Sequence, residues 1–205
     1  MWSRTLCSVQ PDLLTGADVA YVRANFQPLD EVCRARGEDI EAVRAMVRDR
    51  RLPAPSYVLP DGTEMVPADY FALVEEAGGP ERLRAEFERR HRAAGGAAGE
   101  LEEDWQGYIE GVYGICLRSV SPETIVRKSQ LVQSIGALLE HPAVDDAAWR
   151  RQLRREVDEL DQLERDFSPD YDRQRFDNPP SRDLLVGEAW RRYPRLFAAE
   201  AAAAG

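Results

Sequence analysis

Apolar residues recur at intervals of three and four along most of this chain and alternate only once. Val19, Val22 and Phe26 keep roughly helical spacing in residues 12–26. Leu29, Val32 and Cys33 do so in 28–37, and Ile40, Val43 and Val47 in 38–52. Tyr70, Leu73 and Val74 continue the pattern in 67–79, and a charged helical stretch follows from 80 to 92. In the second half, Leu101, Trp105, Tyr108 and Ile109 form one stripe, and Val132, Ile135 and Leu139 a second. Trp149, Leu153, Val157, Leu160, Leu163 and Phe167 mark the longest one. A last helix is expected from Ser181, as its cap, through Trp190. Terminal signals agree: Pro28 opens and Gly37 closes the second segment, and Ser121-Pro122 opens 121–142.

The exception is residues 56–66. Two short runs, 56–59 and 64–66, flank Pro60-Asp61-Gly62, and an Asp-Gly pair there predicts a tight hairpin because such turns require positive φ. The Gly/Ala-rich stretch 93–99 is the expected linker between an N-terminal part, 10–92, and a helical part, 100–195. The Ala-rich residues 196–205 are expected to fray.

The order helix, turn, helix, hairpin, helix over residues 28–77 resembles in layout the excisionase and MerR-type winged helices. The pieces that carry the resemblance are "LDEVCRARG", "DIEAVRAMVRDRRLPAP", the Asp61-Gly62 hairpin and "VPADYFALVEEAG". It implies a mainly α fold: a winged-helix-like N-terminal part with one small β-hairpin, plus a helical C-terminal part. It also implies a candidate function, DNA reading by a transcriptional regulator. Charge opposes that function. The net charge is −10, and from Glu38 to Tyr70 four arginines face seven acids. Binding to duplex DNA needs several phosphate contacts from Lys or Arg, so nucleic acid is not an expected partner. Arg44, Arg48 and Arg51 share one side of their helix and are the place where basic surface would have to appear.

Composition narrows the rest. No run of about 18 apolar residues is present, so no membrane span is expected. The first residues lack the apolar stretch of a secretory signal, and Cys7, Cys33 and Cys116 are odd in number and far apart, which fits a reducing cytoplasm. Gly-rich phosphate loops, nucleophile elbows and paired metal motifs are absent, so neither cofactor nor metal is expected. Glu88 and His91 form a single Glu-x-x-His, and His91 is expected as a solvated helix residue. Asp158 and Asp161 share a face that could hold a cation, but a solvated face paired with neighbouring arginines is the favoured reading.

Candidate chemistry concentrates in residues 111–128. Gly111 and Gly114 flank Tyr113 and break the helix, and Ser121-Pro122 restarts it, leaving free backbone N–H groups where an anionic substrate group would be held. Tyr113, Cys116, Glu123 and Lys128 are the candidate catalytic residues, with Cys116 weighed against a plain core role. Arg118 and Ser121 are candidate substrate-binding residues, joined by Asp170 and Arg173 of the loop "SPDYDRQRF". Lys128 stands out because it is the only lysine among 27 basic residues, and only an ammonium can readily lose a proton.

Three stretches, "YIEGVYGICLRSVSPETIVRK", "VDELDQLERDFSPDYDRQRF" and "LPAPSYVLPDGTEMVPADYF", bring the whole chain into resemblance with an uncharacterised actinobacterial family labelled as natural product biosynthesis proteins. That resemblance, over residues 20–195, implies a cytoplasmic role in secondary metabolism, as an enzyme or accessory protein acting on a small molecule, with an anionic one among the candidates. The alternatives are a DNA-binding regulator and a non-catalytic partner of a biosynthetic enzyme. A homodimer or a pathway-enzyme partner is compatible with each.

Overall fold

The computed structural model describes residues 13–176 and 180–198; Cys7 and residues 199–205 of the expected tail lie outside them. The chain is mainly α with one small antiparallel sheet. Its N-terminal elements are α1 (Gly16–Asn25), β1 (Gln27–Pro28), α2 (Leu29–Arg36), α3 (Ile40–Arg48), β2 (Tyr57–Val58), β3 (Glu64–Val66) and α4 (Ala72–Ala77). There follow α5 (Leu83–Ala93), α6 (Leu101–Ile109), α7 (Val112–Cys116), α8 (Pro122–Glu140) and α9 (Ala147–Leu163). The short α10 (Tyr171–Arg175), a π-helical turn (Arg182–Gly187) and α11 (Glu188–Arg192) complete it.

Local chemistry explains most of these boundaries. The Asp39 and Asp146 side chains accept from the second backbone N–H of α3 and α9, and Gly37 and Gly78 end α2 and α4 in the left-handed conformation that glycine adopts without steric cost. The hairpin forms where expected but with a different turn. Gly62 alone takes positive φ (83°), its N–H bonds Leu59 O at 2.8 Å, and Leu59 N–H bonds Thr63 O at 2.9 Å, so the loop has three residues with glycine in the left-handed position. Nor is the hairpin the whole sheet. β1 pairs with β3 on the side away from β2, giving the order β1-β3-β2. Two residues containing a proline carry no alternating pattern, so this edge strand is visible only through its partner.

Three apolar clusters hold the elements together. The largest joins Leu29, Val43, Val66, Leu73 and Phe87 of the first half to Trp105, Tyr113 and Ile125 of the second, so the apolar core runs without a break past the expected linker, residues 93–99. The second packs Leu131, Ile135 and Leu139 of α8 against Leu153, Val157 and Leu160 of α9. The third seats Val22 and Phe26 on Tyr57, Met65, Ile115 and Tyr171. The loop 168–176 is thereby tied to the N-terminal sheet, and buried polar groups fix its position. Tyr57 Oη donates to Asp172 at 2.7 Å, Ser168 N–H donates to the same oxygen at 2.8 Å, and Arg175 donates to Ser56 O at 2.9 Å.

Asp18 is a second anchor. It is fully buried and accepts from Thr15 N–H (2.8 Å), Thr15 Oγ1 (2.7 Å), Asp170 N–H (3.0 Å) and Tyr171 N–H (3.1 Å). Burial alone would raise its pKa; the four donors outweigh it and hold the carboxyl down to about 2, against an ordinary 3.8. Its folded pKa is the lower one, so its stabilisation is present above pH 3.8 and is lost as pH falls toward 2. That amounts to roughly 2 kcal/mol. Asp18→Asn is expected to remove about this much at pH 7 and to flatten the acid limb of a urea-unfolding series; equal acid sensitivity in both proteins would refute it.

Candidate functional site

At the α6–α7 junction a segment of the first half lies close against the second. Gly111 has φ +73°, and a Cβ built on it would sit 2.3 Å from Ala54 O; one on Gly114 would sit 2.3 Å from Ser56 Oγ. Only glycine allows residues 53–56 to lie across this junction, where Ala54 N–H donates to Ile109 O at 2.8 Å. The crossing leaves a small notch of about 20 Å³, room for a water molecule, lined among others by Ser56, Asp69, Tyr70, Tyr108, Gly114 and Val120.

Asp69 is its charged group. One carboxylate oxygen accepts from Val120 N–H at 2.7 Å and Ser119 Oγ at 2.9 Å; the other is buried and has no hydrogen-bond partner among the described residues. Tyr108 stands within electrostatic reach: burial first, and then the Asp69 charge, push its phenol pKa up. Tyr70 Oη donates to Pro53 O at 2.6 Å, and burial pushes its pKa up as well.

The segment 111–128 therefore does border a site, but through its backbone. Gly111, Gly114 and Val120 face the notch, while the side chains singled out in the sequence are engaged elsewhere. Tyr113 is buried and donates its hydroxyl to Asp104. Glu123 accepts both ends of the Arg90 guanidinium, at 2.7 and 2.6 Å, and this pairing lowers its pKa. Cys116 is buried, with its thiol against the Val112 and Tyr113 carbonyls. Lys128 meets Cys116 and puts its ammonium 2.8 Å from Glu164, which is fully buried and also accepts from Ser181 Oγ. Burial would lower the Lys128 pKa; the Cys116 sulfur and the Glu164 carboxylate outweigh it and hold it above the ordinary lysine value. A lysine kept charged is a poor proton acceptor, so its chemistry here is that of a buried ion pair.

The expected anion slot is already filled. Ser121 and Thr124 cap α8 reciprocally, at 3.0 and 3.2 Å, and Asp69 takes the Val120 N–H. Arg118 is exposed. Asp170 contributes its backbone N–H to Asp18, and exposed Arg173 bonds Pro169 O and Asp183. These residues do not meet at one site. Ser181 caps nothing; its hydroxyl turns inward to Glu164. Asp158 and Asp161, expected on a solvated face, pair with Arg154 and Arg182, while Glu156 and Glu164 are buried. His91, expected in solvent, is fully buried: its Nε2 lies 2.9 Å from Asp104, and Gly96 packs against its ring.

Asp69 and Tyr108 were missed for definable reasons. Asp69, at the head of a helical pattern, reads as a cap for its own helix but bonds the residues preceding α8. Tyr108 reads as one more position of a core stripe. Among the described residues no cluster of three or more His, Cys, Asp and Glu could hold a metal ion, and no helix is long and apolar enough to cross a membrane.

The fold and notch describe a mainly α chain with a small recess between its halves. The model of a family of unknown function, DUF6058, matches residues 81–194, and the chain belongs to that family. The match takes in α5 through α11 and one wall of the notch; the other wall, from Pro53 to Tyr70, precedes it. No curated protein and no solved structure matches the chain.

Proposed function

We propose that the chain binds a small molecule in the notch between its halves and serves a secondary-metabolite pathway as an enzyme or accessory protein. The observation that carries the binding is the half-satisfied Asp69 carboxylate, bonded by Ser119 and Val120, whose second oxygen is buried beside the notch without a hydrogen-bond partner among the described residues. A few polar groups converging on a concave site between packed parts are one feature of ligand pockets. The pathway setting rests on the resemblance of residues 20–195. Native mass spectrometry of the full chain with the small-molecule fraction of a producing culture tests the reading. A discrete adduct is expected, lost in Val120→Phe, which fills the rim; a wild-type chain without adduct counts against it.

Regulation by DNA reading is the weaker alternative, although the order of the N-terminal elements suits it. Arg44 is tied to Glu64 at 2.8 Å and to Glu41 at 2.7 Å, and Arg51 to Glu81, so two of the three arginines that would carry basic surface are neutralised within the chain. Fluorescence anisotropy with the upstream duplex is expected to show no sub-micromolar binding at ~50 mM salt, the condition that most favours phosphate contacts. Tight, salt-sensitive binding would restore the regulator.

A further inference from the structure

We infer that Cys116 and Lys128 form a reversible modification site: a peroxide oxidises the thiol, and the lysine amine then closes a sulfur–nitrogen bond to it. The site is separate from the notch and stands or falls without it. Distant elements bring its groups together. An isolated antiparallel bridge pairs Leu117, just after α7, with Glu164, just after α9. Arg165 N–H donates to Cys116 O at 2.8 Å and Arg118 N–H to Leu163 O at 3.0 Å, so the backbone fixes Cys116 beside Glu164. Lys128 of α8 reaches into this corner, with its ammonium on the Glu164 carboxylate at 2.8 Å and on the Cys116 sulfur. The second Glu164 oxygen is buried without a hydrogen-bond partner among the described residues. Of the two cysteines described, both free, Cys33 is 1% exposed and Cys116 7%, and the Lys128 side chain is 16% exposed. The opening for a small oxidant therefore lies along the lysine.

The thiolate is the form that a peroxide attacks, and an ammonium in contact favours it. The sulfur displaces one peroxide oxygen: the S–O bond forms, the O–O bond breaks, and the leaving hydroxide takes up the thiol proton as water. Sulfur is oxidised and the peroxide reduced. The sulfenic acid carries no charge, so one of the two anions that hold the proton on Lys128 is gone. That proton passes to Glu164. The neutral Nζ attacks the sulfur, the S–N bond forms, the S–O bond breaks, and a second water leaves with a proton of the nitrogen. Sulfenic acids close in this way on a thiol or a backbone nitrogen, and here the nucleophile in contact is the amine. An arginine at 128 could not take the step, because a guanidinium does not give up its proton. The product suits its place: a buried ion pair becomes a neutral link and a neutral carboxyl, and both charges leave the interior.

The test treats the full chain, carrying Cys7→Ser and Cys33→Ser so that no disulfide can form within it, with a slight excess of hydrogen peroxide. Intact mass and the digested peptides are read by mass spectrometry. A product lighter by two hydrogens is expected, with the peptides holding Cys116 and Lys128 joined to each other and released by dithiothreitol. Lys128→Arg in the same background is expected to form no link and to gain oxygen on Cys116 instead. If either variant does not fold, the wild-type digest decides, since a peptide joining Cys116 to Lys128 is distinct from any disulfide. Cys116 left unmodified, Cys116 carrying only added oxygen where Lys128 is present, or a loss of two hydrogens that persists in Lys128→Arg overturns the proposal. None of these outcomes bears on the notch.

Discussion

Lys128→Ala is expected to lower folding stability by about 3–5 kcal/mol, the usual effect of leaving a buried charge without its partner. Glu164 is fully buried, one of its oxygens is shared by Lys128 and Ser181, and the other has no partner among the described residues. Without the ammonium, the carboxylate must ionise alone in the interior or take up a proton. The double change Lys128→Met with Glu164→Leu is expected to recover most of the loss, because removing both charges removes the desolvation problem with them. Lys128→Arg is expected to be tolerated poorly as well, since a planar guanidinium cannot occupy a slot sized for an ammonium 2.8 Å from its carboxylate. Urea unfolding measures all three; a loss below about 1 kcal/mol in Lys128→Ala would place the pair in the class of exposed ion pairs. The pH dependence has a definite sign. The folded pKa of Lys128 lies above the ordinary 10.5, so the pair's contribution is complete below that pH and is lost only as pH rises through the folded value. Stability lost between pH 6 and 9 would have to come from other groups.

Asp104→Ala is expected to cost about 2–5 kcal/mol, because one carboxylate serves two buried partners. His91 Nε2 and the Tyr113 hydroxyl each bond one of its oxygens. His91 is fully buried and Tyr113 nearly so, and each orphaned polar group costs about 1–3 kcal/mol. Relaxation is hindered on every side. Phe87 stacks on the His91 ring at 6.1 Å, and a Cβ on Gly96 would lie 2.2 Å from it. Asp104→Asn, which keeps one acceptor and the shape, is expected to lose less than half as much. Thermal unfolding with both variants checks the order; equal losses would mean that the side chain matters for its volume and not for its two bonds.

Periodicity located the helices well because each buries one stripe, and a stripe needs only local spacing to be seen. Val43, Leu73, Ile135, Leu139, Leu153 and Val157 were all expected inward and all are buried. Caps were legible for the same reason: Ser121-Pro122 and Gly37 act on their own helix ends. The mainly α class, the hairpin and the glycine break before residue 121 follow from such local rules. Charge was read less well, because a carboxylate in a helical pattern looks the same whether it faces water or a partner from another element. Glu164 needs Lys128 and Ser181, and Asp104 needs His91 and Tyr113.

The candidate site divides in the same way. The sequence by itself determined that something unusual happens between Gly111 and Lys128: two glycines, a helix restart and the chain's one lysine. Only the tertiary structure decided what that is. The glycines admit residues 53–56, the restart is clasped by Asp69 from some fifty residues earlier, and the lysine pairs with Glu164 from α9's far end. Backbone conformation answers to neighbours a few residues away, whereas the partner of a buried charge is chosen by packing across the whole chain. The Asp69 carboxylate, which borders the notch and clasps residues 119 and 120, belongs to the second kind.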